Sequence, residues 1–456
     1  MRGDIVDDKK TIAIDIDWLH KRRKKRLNTF LEEYQPYDVA HLYTELSVEH
    51  RHLFVELLDD RYLVLLLQEL SGESRLEITL KLPLKKTAQL LNKMDNDDVV
   101  TLLSELPSNQ IQPLLRKMNQ KEAKHVRDLL AYKPETAGRL MTNRFIWIKK
   151  EATVIQTVEK MKTYAPYSET INYLYVVDSE NKLVGVVSHR DLILAEASEV
   201  IEDIMFNRVI SVHEDDDQEH VARQIEKYDF IAMPVTNDDG VLLGIITIDD
   251  ALDIVIQEAN EDIEKLSASG KDITFSTKST AATIKRLPWL ILLLLIGIFS
   301  GNIISHFETT LHQVVALAYF MPMIAGMTGN TGTQSLAVTV RGLSTHHLKQ
   351  SDIWKLIRRE LTVGILIGLV CGCLIAGIAF VWQGSVILGA VVGISLFFTL
   401  IIGTVAGTVI PIILYKCNID PAVASGPLIT TLNDIFSLLI YFGLATFIYG
   451  LSSSIM

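Results

Sequence analysis

The 456-residue sequence predicts a multidomain α-helical membrane protein. Its expected parts are a cytosolic α-helical superhelix, two tandem α/β units, a long connecting helix and five transmembrane helices. Three observations predict this: charge is split unevenly along the chain, apolar segments crowd its C-terminal part, and an internal repeat precedes them.

The chain carries 44 Lys+Arg and 55 Asp+Glu, of which seven basic and five acidic residues follow Lys285. That leaves 37 basic and 50 acidic residues in 1–285, a net of −13. An acidic, water-soluble body therefore precedes a membrane domain, and it favours cations over nucleic acid as partners. The polar start MRGDIVDDKK has no apolar signal core, so residues 1–285 are expected in the cytoplasm. Cys371, Cys373 and Cys417 support neither a disulfide framework nor a zinc site.

Residues 1–29 read as a basic segment. Its run Lys21–Arg26 (KRRKKR) is either the solvated face of a helix or a contact for anionic lipid or nucleic acid. Over 30–135, stretches such as LFVELLDDRYLVLLLQEL, TAQLLNKM and VVTLLSELP place apolar pairs at helical spacing, which predicts the superhelix. No catalytic triad, P-loop or dinucleotide fingerprint is present, so no enzyme is expected.

The repeat begins LMTNRFIWI at Leu140 and IMFNRVISV at Ile204; its copies end LVGVVSHRDL and LLGIITIDDA. Met141, Asn143 and Arg144 match Met205, Asn207 and Arg208, and Gly185 matches Gly244. The two units, 136–200 and 201–247, resemble a CBS-domain pair. That resemblance implies Tyr173, Ser188, Arg190 and Asp191 as an ATP-contact set; capping a helix and packing the cleft is the alternative role for them. In the second copy Asp249 replaces the arginine, so one occupied cleft is expected rather than two.

Residues 248–284 form the connecting helix and a Ser/Thr-rich stretch. Asp250, Asp253, Gln257, Glu261 and Glu264 fall on one helical face, which needs basic partners or bound cations unless it is simply solvated. The clusters MDNDD (Met94–Asp98) and HEDDDQE (His213–Glu219) start helices by capping, and Glu219 and Asp229 could also face a cation.

Within 285–456, spans are expected at about 287–305, 313–340, 361–382, 386–415 and 421–449. Breakers in the second and fourth suggest tilted or interrupted helices. Basic loops at 341–360 and Lys416, against uncharged 383–385, put the N-terminus inside and the C-terminus outside.

Asp434 is the only charged residue between Pro421 and Met456. A mid-bilayer carboxylate costs about 2.5–3.5 kcal/mol, so it marks an ion or proton path by default, with helix packing as the alternative. MPMIAGMTGNTGTQS adds Gly329, neutral oxygens on Asn330, Thr331, Thr333 and Gln334, and small residues for close helix approach. Thr430 joins Asp434 on the fifth span. Hard oxygens of this kind suit hydrated Mg²⁺.

GNTGTQS, DPAVASGPLITTLNDIFSLLIYF, TIDDALDIVIQEANEDIEKL and the repeat together resemble the MgtE family of magnesium channels and transporters. The resemblance implies a homodimer in a plasma (inner) membrane, with Asp434 binding Mg²⁺ through its hydration shell on the two-fold axis. It also implies a gate: cytosolic Mg²⁺ bridging Asp97, Glu219, Asp229, Asp250, Asp253, Glu258, Glu261 and Asp420 holds the pore shut, and ATP at the repeat modulates it. Thr101 stands where relatives can carry a second acid, and Gly426 where they can carry Asn. An ion-coupled divalent cation exchanger and a weakly gated channel are the alternative readings.

Overall fold

Apolar residues at three- and four-residue spacing do fold as short helices. In a computed structural model, residues 16–70, 72–270, 273, 277–345, 350–417 and 419–455 are described. Residues 1–10, Ser276 of the connecting stretch and Lys349 of the basic loop lie outside them. The chain divides into two units, the first ending at Ile256 and the second beginning at Gln257.

In the first unit, short helices run from Ile16–His20 to Gln120–Ala131 and bury their leucine faces in one core. The basic run belongs to this body. Leu27 and Leu31 of the helix Lys24–Leu31 are fully buried, so a division at residue 29 falls inside that helix. Lys21, Arg22 and Lys24 pair with Asp17, Glu56 and Asp59 at the surface.

The repeat folds as two three-stranded sheets: β1 (Trp147–Lys149), β2 (Tyr173–Val177) and β3 (Leu183–Ser188), then β4 (Val212–His213), β5 (Ala232–Thr236) and β6 (Leu242–Thr247). In each, the first pair is parallel and the second antiparallel, with a register shift at the matching place, Val176/Val177 and Val235/Thr236. The matched glycines explain themselves by exchange. A Cβ on Gly185 would stand 2.4 Å from Sδ of Met205, and one on Gly244 would stand 2.8 Å from Sδ of Met141. Each copy thus seats its methionine on the other copy's glycine, and the bridges Thr142–Ile245 and Val186–Phe206 follow the same exchange.

HEDDDQE does start a helix: Asp217 caps Gln218–Tyr228 by accepting from the Glu219 amide at 2.9 Å. MDNDD behaves differently. Asp95 occupies the cap position of Asn96–Glu105, but its carboxylate pairs with Arg144 at 2.7 Å.

The helix Ile248–Ser267 crosses the division between the units. The second unit then has five long helices: Ser279–His306, Leu317–Thr345, Gln350–Gln383, Val386–Lys416 and Gly426–Ile455. Four of them are long and apolar enough to cross a membrane; the second is not among these, its Thr, Asn and Gln side chains diluting its hydropathy. The expected interruptions do not occur, since the second and fourth are continuous. In the second, Thr328, Thr331 and Thr333 donate back to the carbonyls of Ile324, Met327 and Gly329, which keeps their hydroxyls bonded within the helix. The fifth helix begins later than expected, because Pro421–Val423 forms a 3₁₀ turn.

Glycines set the helix crossings. A Cβ on Gly407 would stand 2.2 Å from the carbonyl oxygen of Gly332, and one on Gly332 would stand 2.1 Å from Nδ2 of Asn433. The second helix is therefore gripped by the fourth and fifth with no space for a methyl group.

Candidate metal centre

Asp97, Glu169 and Asp250 present carboxylate oxygens that all lie within 4.8 Å of one another. Each comes from a different part of the first unit. Asp97 stands in the first turn of Asn96–Glu105, Asp250 in the first turn of Ile248–Ser267, and Glu169 in the loop before β2. Contacts beside the start of Asn96–Glu105 fix the geometry: Arg144 donates to Asp95 and to the Met94 carbonyl, both at 2.7 Å, and Asn96 donates to Asn143 at 2.9 Å. The Thr247 hydroxyl lies 2.7 Å from Asp250 and 3.4 Å from Glu169.

Two of the cluster's oxygens, Oδ1 of Asp97 and Oε2 of Glu169, are buried without a hydrogen-bond partner, as is Oδ1 of neighbouring Asn96. Burial, then Glu169 and Asp250, pushes the Asp97 carboxyl well above its ordinary range. Burial and Asp250 push Glu169 up to about 8. Burial, against the lowering bond from Thr247, pushes Asp250 up to about 6. At 4.8 Å and an effective dielectric of 20, each ionised pair repels by roughly 3 kcal/mol. Three oxygens this close accept either protons or a cation. Ligand distances of about 2.0–2.1 Å, completed by retained water, make Mg²⁺ a fitting occupant, whereas imidazole or thiolate donors for a softer ion are absent from the cluster.

The other acids named from the sequence lie elsewhere. Glu219 pairs with Arg223 at 2.8 Å, and exposed Asp229 ends its helix in a left-handed conformation. Asp253 is exposed, and Glu258 is half-buried. In the second unit Lys265 joins two expected metal ligands, Glu261 at 2.7 Å and Asp420 at 2.5 Å. Lys265 is thus a basic partner of the acidic stripe on its own helix. Thr101 is exposed on Asn96–Glu105.

The helix crossing unites part of the expected ion path. A Cβ on Gly329 would stand 2.8 Å from Cγ2 of Thr430, and the hydroxyls of Thr333 and Thr430 are 3.4 Å apart. Asp434 lies one turn beyond Thr430, half-buried, with no hydrogen bond to its carboxylate among the described residues. Asn330 is exposed beside buried Gly329. Asn433, which sequence reasoning passed over, is fully buried and donates to the Thr328 carbonyl at 3.4 Å.

The nucleotide set also comes together. Tyr173 is the cross-strand partner of Ser188, and Ser188 and Asp191 cap His189–Leu194 reciprocally, with the hydroxyl donating to Oδ2 at 2.6 Å. Arg190 is exposed between them. Thr247 and Asp250 are the same pair in the second copy, and there the capping acid enters the carboxylate cluster.

Comparison with known proteins matches residues 321–444 to MgtE, a divalent cation transporter family, 34–135 to the MgtE intracellular N domain, and 137–198 and 201–257 to CBS domains. The magnesium transporter MgtE of Bacillus subtilis (strain 168) is 54% identical over 422 residues, covering 92% of this chain and 94% of that one. The soluble part of a magnesium transporter aligns with 54% of this chain and 96% of its own, at 35% identity and a TM-score of 0.51. The cytosolic domain of the Mg²⁺ channel MgtE in complex with ATP aligns with 52% and 97%, at 35% identity and a TM-score of 0.50.

Proposed function

This chain belongs to the MgtE family of divalent cation transporters, and we propose that it carries Mg²⁺ through a membrane as a homodimer closed by cytosolic Mg²⁺. The observation that carries the gate is the trio Asp97, Glu169 and Asp250, whose carboxylates converge from three segments with one buried oxygen each of Asp97 and Glu169 lacking a partner among the described residues. A bound Mg²⁺ replaces their mutual repulsion with attraction and ties the superhelix, the first repeat and the connecting helix together. As cytosolic Mg²⁺ falls, the ion leaves, the carboxylates repel or take up protons, and the three segments loosen.

Transport itself is assigned to Asp434 with Gly329, Asn330 and Thr430. Two copies of Asp434 across a dimer axis supply two negative charges to one hydrated divalent ion, and the Thr430 hydroxyl and small Gly329 leave room for its water shell. Glu219, Asp229, Asp253, Glu258, Glu261 and Asp420 are proposed as further regulatory positions. For Glu261 and Asp420, Lys265 occupies the place between the carboxylates, so Mg²⁺ there requires the lysine to swing away. The membrane orientation expected from the loop charges, N-terminus inside and C-terminus outside, belongs to the same proposal.

ATP is proposed at Tyr173, Ser188, Arg190 and Asp191. The relative whose cytosolic domain is complexed with ATP supports this reading. Exposed Arg190 is the phosphate-facing candidate, and Ser188 and Asp191 already hold each other in the cap.

Mg²⁺ flux in proteoliposomes, with the Mg²⁺ on the cytosolic face varied, tests both halves of the proposal. Flux that depends on a proton or Na⁺ gradient would instead support an exchanger.

A further inference from the structure

Glu360 is a carboxylate that neither the gate nor the ion path uses, yet only 5% of it is exposed, about three turns into the third long helix. Both its oxygens are engaged. Oε1 accepts from Nη2 and Nε of Arg359 at 2.8 and 3.1 Å, and Oε2 accepts from the hydroxyl of Ser335 at 2.9 Å. Ser335 is itself 4% exposed and lies on the helix Leu317–Thr345 that carries Gly329, Asn330 and Thr333. A buried charge in a membrane bundle is costly and is retained where partners and a role compensate for it.

We infer that Glu360 is a positioning residue for the ion path: through Ser335 it fixes the rotation of the second long helix about its own axis. The geometry points to this because the helix is held from two sides. Thr333 faces Thr430 of the fifth helix, and Ser335, two residues on and roughly 200° round the helix, faces Glu360 of the third. The glycine contacts at Gly332 block inward movement but carry no directional bond. The Ser335–Glu360 hydrogen bond anchors the face away from Thr333 and Thr430, and Arg359, whose side chain reaches solvent, pairs with the carboxylate and keeps it aimed. Loosening it lets the helix roll, moving Asn330 and Thr333 relative to Asp434. The ion's water shell is then held less well, and ion affinity suffers before the fold does.

The inference rests on reading this helix as a wall of the ion path. Its test is Mg²⁺ uptake against Mg²⁺ concentration by the full-length protein in proteoliposomes, normalised to folded protein. The variants are Ser335→Ala, Ser335→Thr, Glu360→Gln and, as a control of the path itself, Asp434→Ala. Ser335→Ala should raise the half-saturating Mg²⁺ concentration about three- to tenfold while maximal uptake changes less than about twofold. Ser335→Thr keeps the hydroxyl and should restore the wild-type value. Glu360→Gln should shift half-saturation in the same direction, since a neutral amide replaces the charge-assisted bonds from both Arg359 and Ser335 with weaker ones. Adding Ser335→Ala to it should bring no further shift. Unchanged half-saturation in Ser335→Ala, or a loss of maximal uptake alone, would overturn the positioning role. Normal uptake by Asp434→Ala would overturn the ion-path reading instead, which keeps the two failures distinct.

Discussion

Asp97 of the N-terminal superhelix and Asp250 at the head of the connecting helix bring their carboxylate oxygens within 4.8 Å of each other, with Glu169 completing the group. Their closeness is unfavourable without a cation and becomes favourable with one. The proposed Mg²⁺ gate rests on that difference.

Replacing one of these acids by its amide should have opposite effects on the two states. Glu169→Gln removes repulsion and should raise the unfolding temperature of the Mg²⁺-free protein by a free-energy equivalent of roughly 1–3 kcal/mol. The same change should weaken the stabilisation that Mg²⁺ provides. Thermal unfolding of the full-length protein in detergent, with EDTA and across a Mg²⁺ series, reads both effects. A variant that loses stability without Mg²⁺ yet keeps the full Mg²⁺ response would contradict the assignment.

The pH dependence has a definite sign. Glu169 and Asp250, pushed up to about 8 and about 6, bind more protons in the folded state than in the unfolded chain. Stability of the Mg²⁺-free protein should accordingly fall as pH rises from about 4 to about 8. Saturating Mg²⁺ displaces those protons, so apparent Mg²⁺ affinity should rise over the same window. Thermal unfolding and calorimetric titration at pH 6 and pH 8 check the two trends.

The Ser188–Asp191 cap separates nucleotide binding from folding. Ser188→Ala removes an N-cap and should cost about 1 kcal/mol of local stability with or without nucleotide. Arg190→Ala touches no cap and should leave stability unchanged while weakening ATP binding at least about tenfold, the loss expected for a charge-assisted phosphate contact. Equal ATP affinity in wild type and Arg190→Ala would remove the arginine from the site.

Gly407→Ala tests the helix crossing. Its methyl group would meet the Gly332 carbonyl at 2.2 Å, backbone against backbone, so the two helices must separate. Overpacking of this kind costs typically about 1–3 kcal/mol. A fall in the yield of monodisperse protein is expected, in contrast to Gly297→Ala or Gly443→Ala, where nothing lies within 4 Å.

The sequence made some of this legible for physical reasons. Helical spacing of leucines exposed the superhelix, matched Met and Gly residues exposed the repeat, and charge-free stretches exposed the long helices. Asp250 stood out by its place on an acidic helical stripe, and Asp97 through the family resemblance. Glu169 did not, since it sits in a loop where spacing says nothing about neighbours. Lys265 against Asp420, and Ser335 against Glu360, were equally hidden, because each joins segments that only tertiary packing brings together. Of the tilted or interrupted helices expected for the second and fourth long helices, interruption does not occur, since glycine and proline can be carried within a continuous long helix packed by its neighbours.

The most direct test is Mg²⁺ uptake by the full-length protein in proteoliposomes as Mg²⁺ on its cytosolic face is raised, comparing wild type, Asp97→Asn and Asp434→Ala. Wild-type uptake should fall as cytosolic Mg²⁺ rises, Asp97→Asn should continue at concentrations that silence the wild type, and Asp434→Ala should show no uptake at any concentration. Wild-type uptake by Asp434→Ala, or identical inhibition of the wild type and Asp97→Asn, would contradict the account.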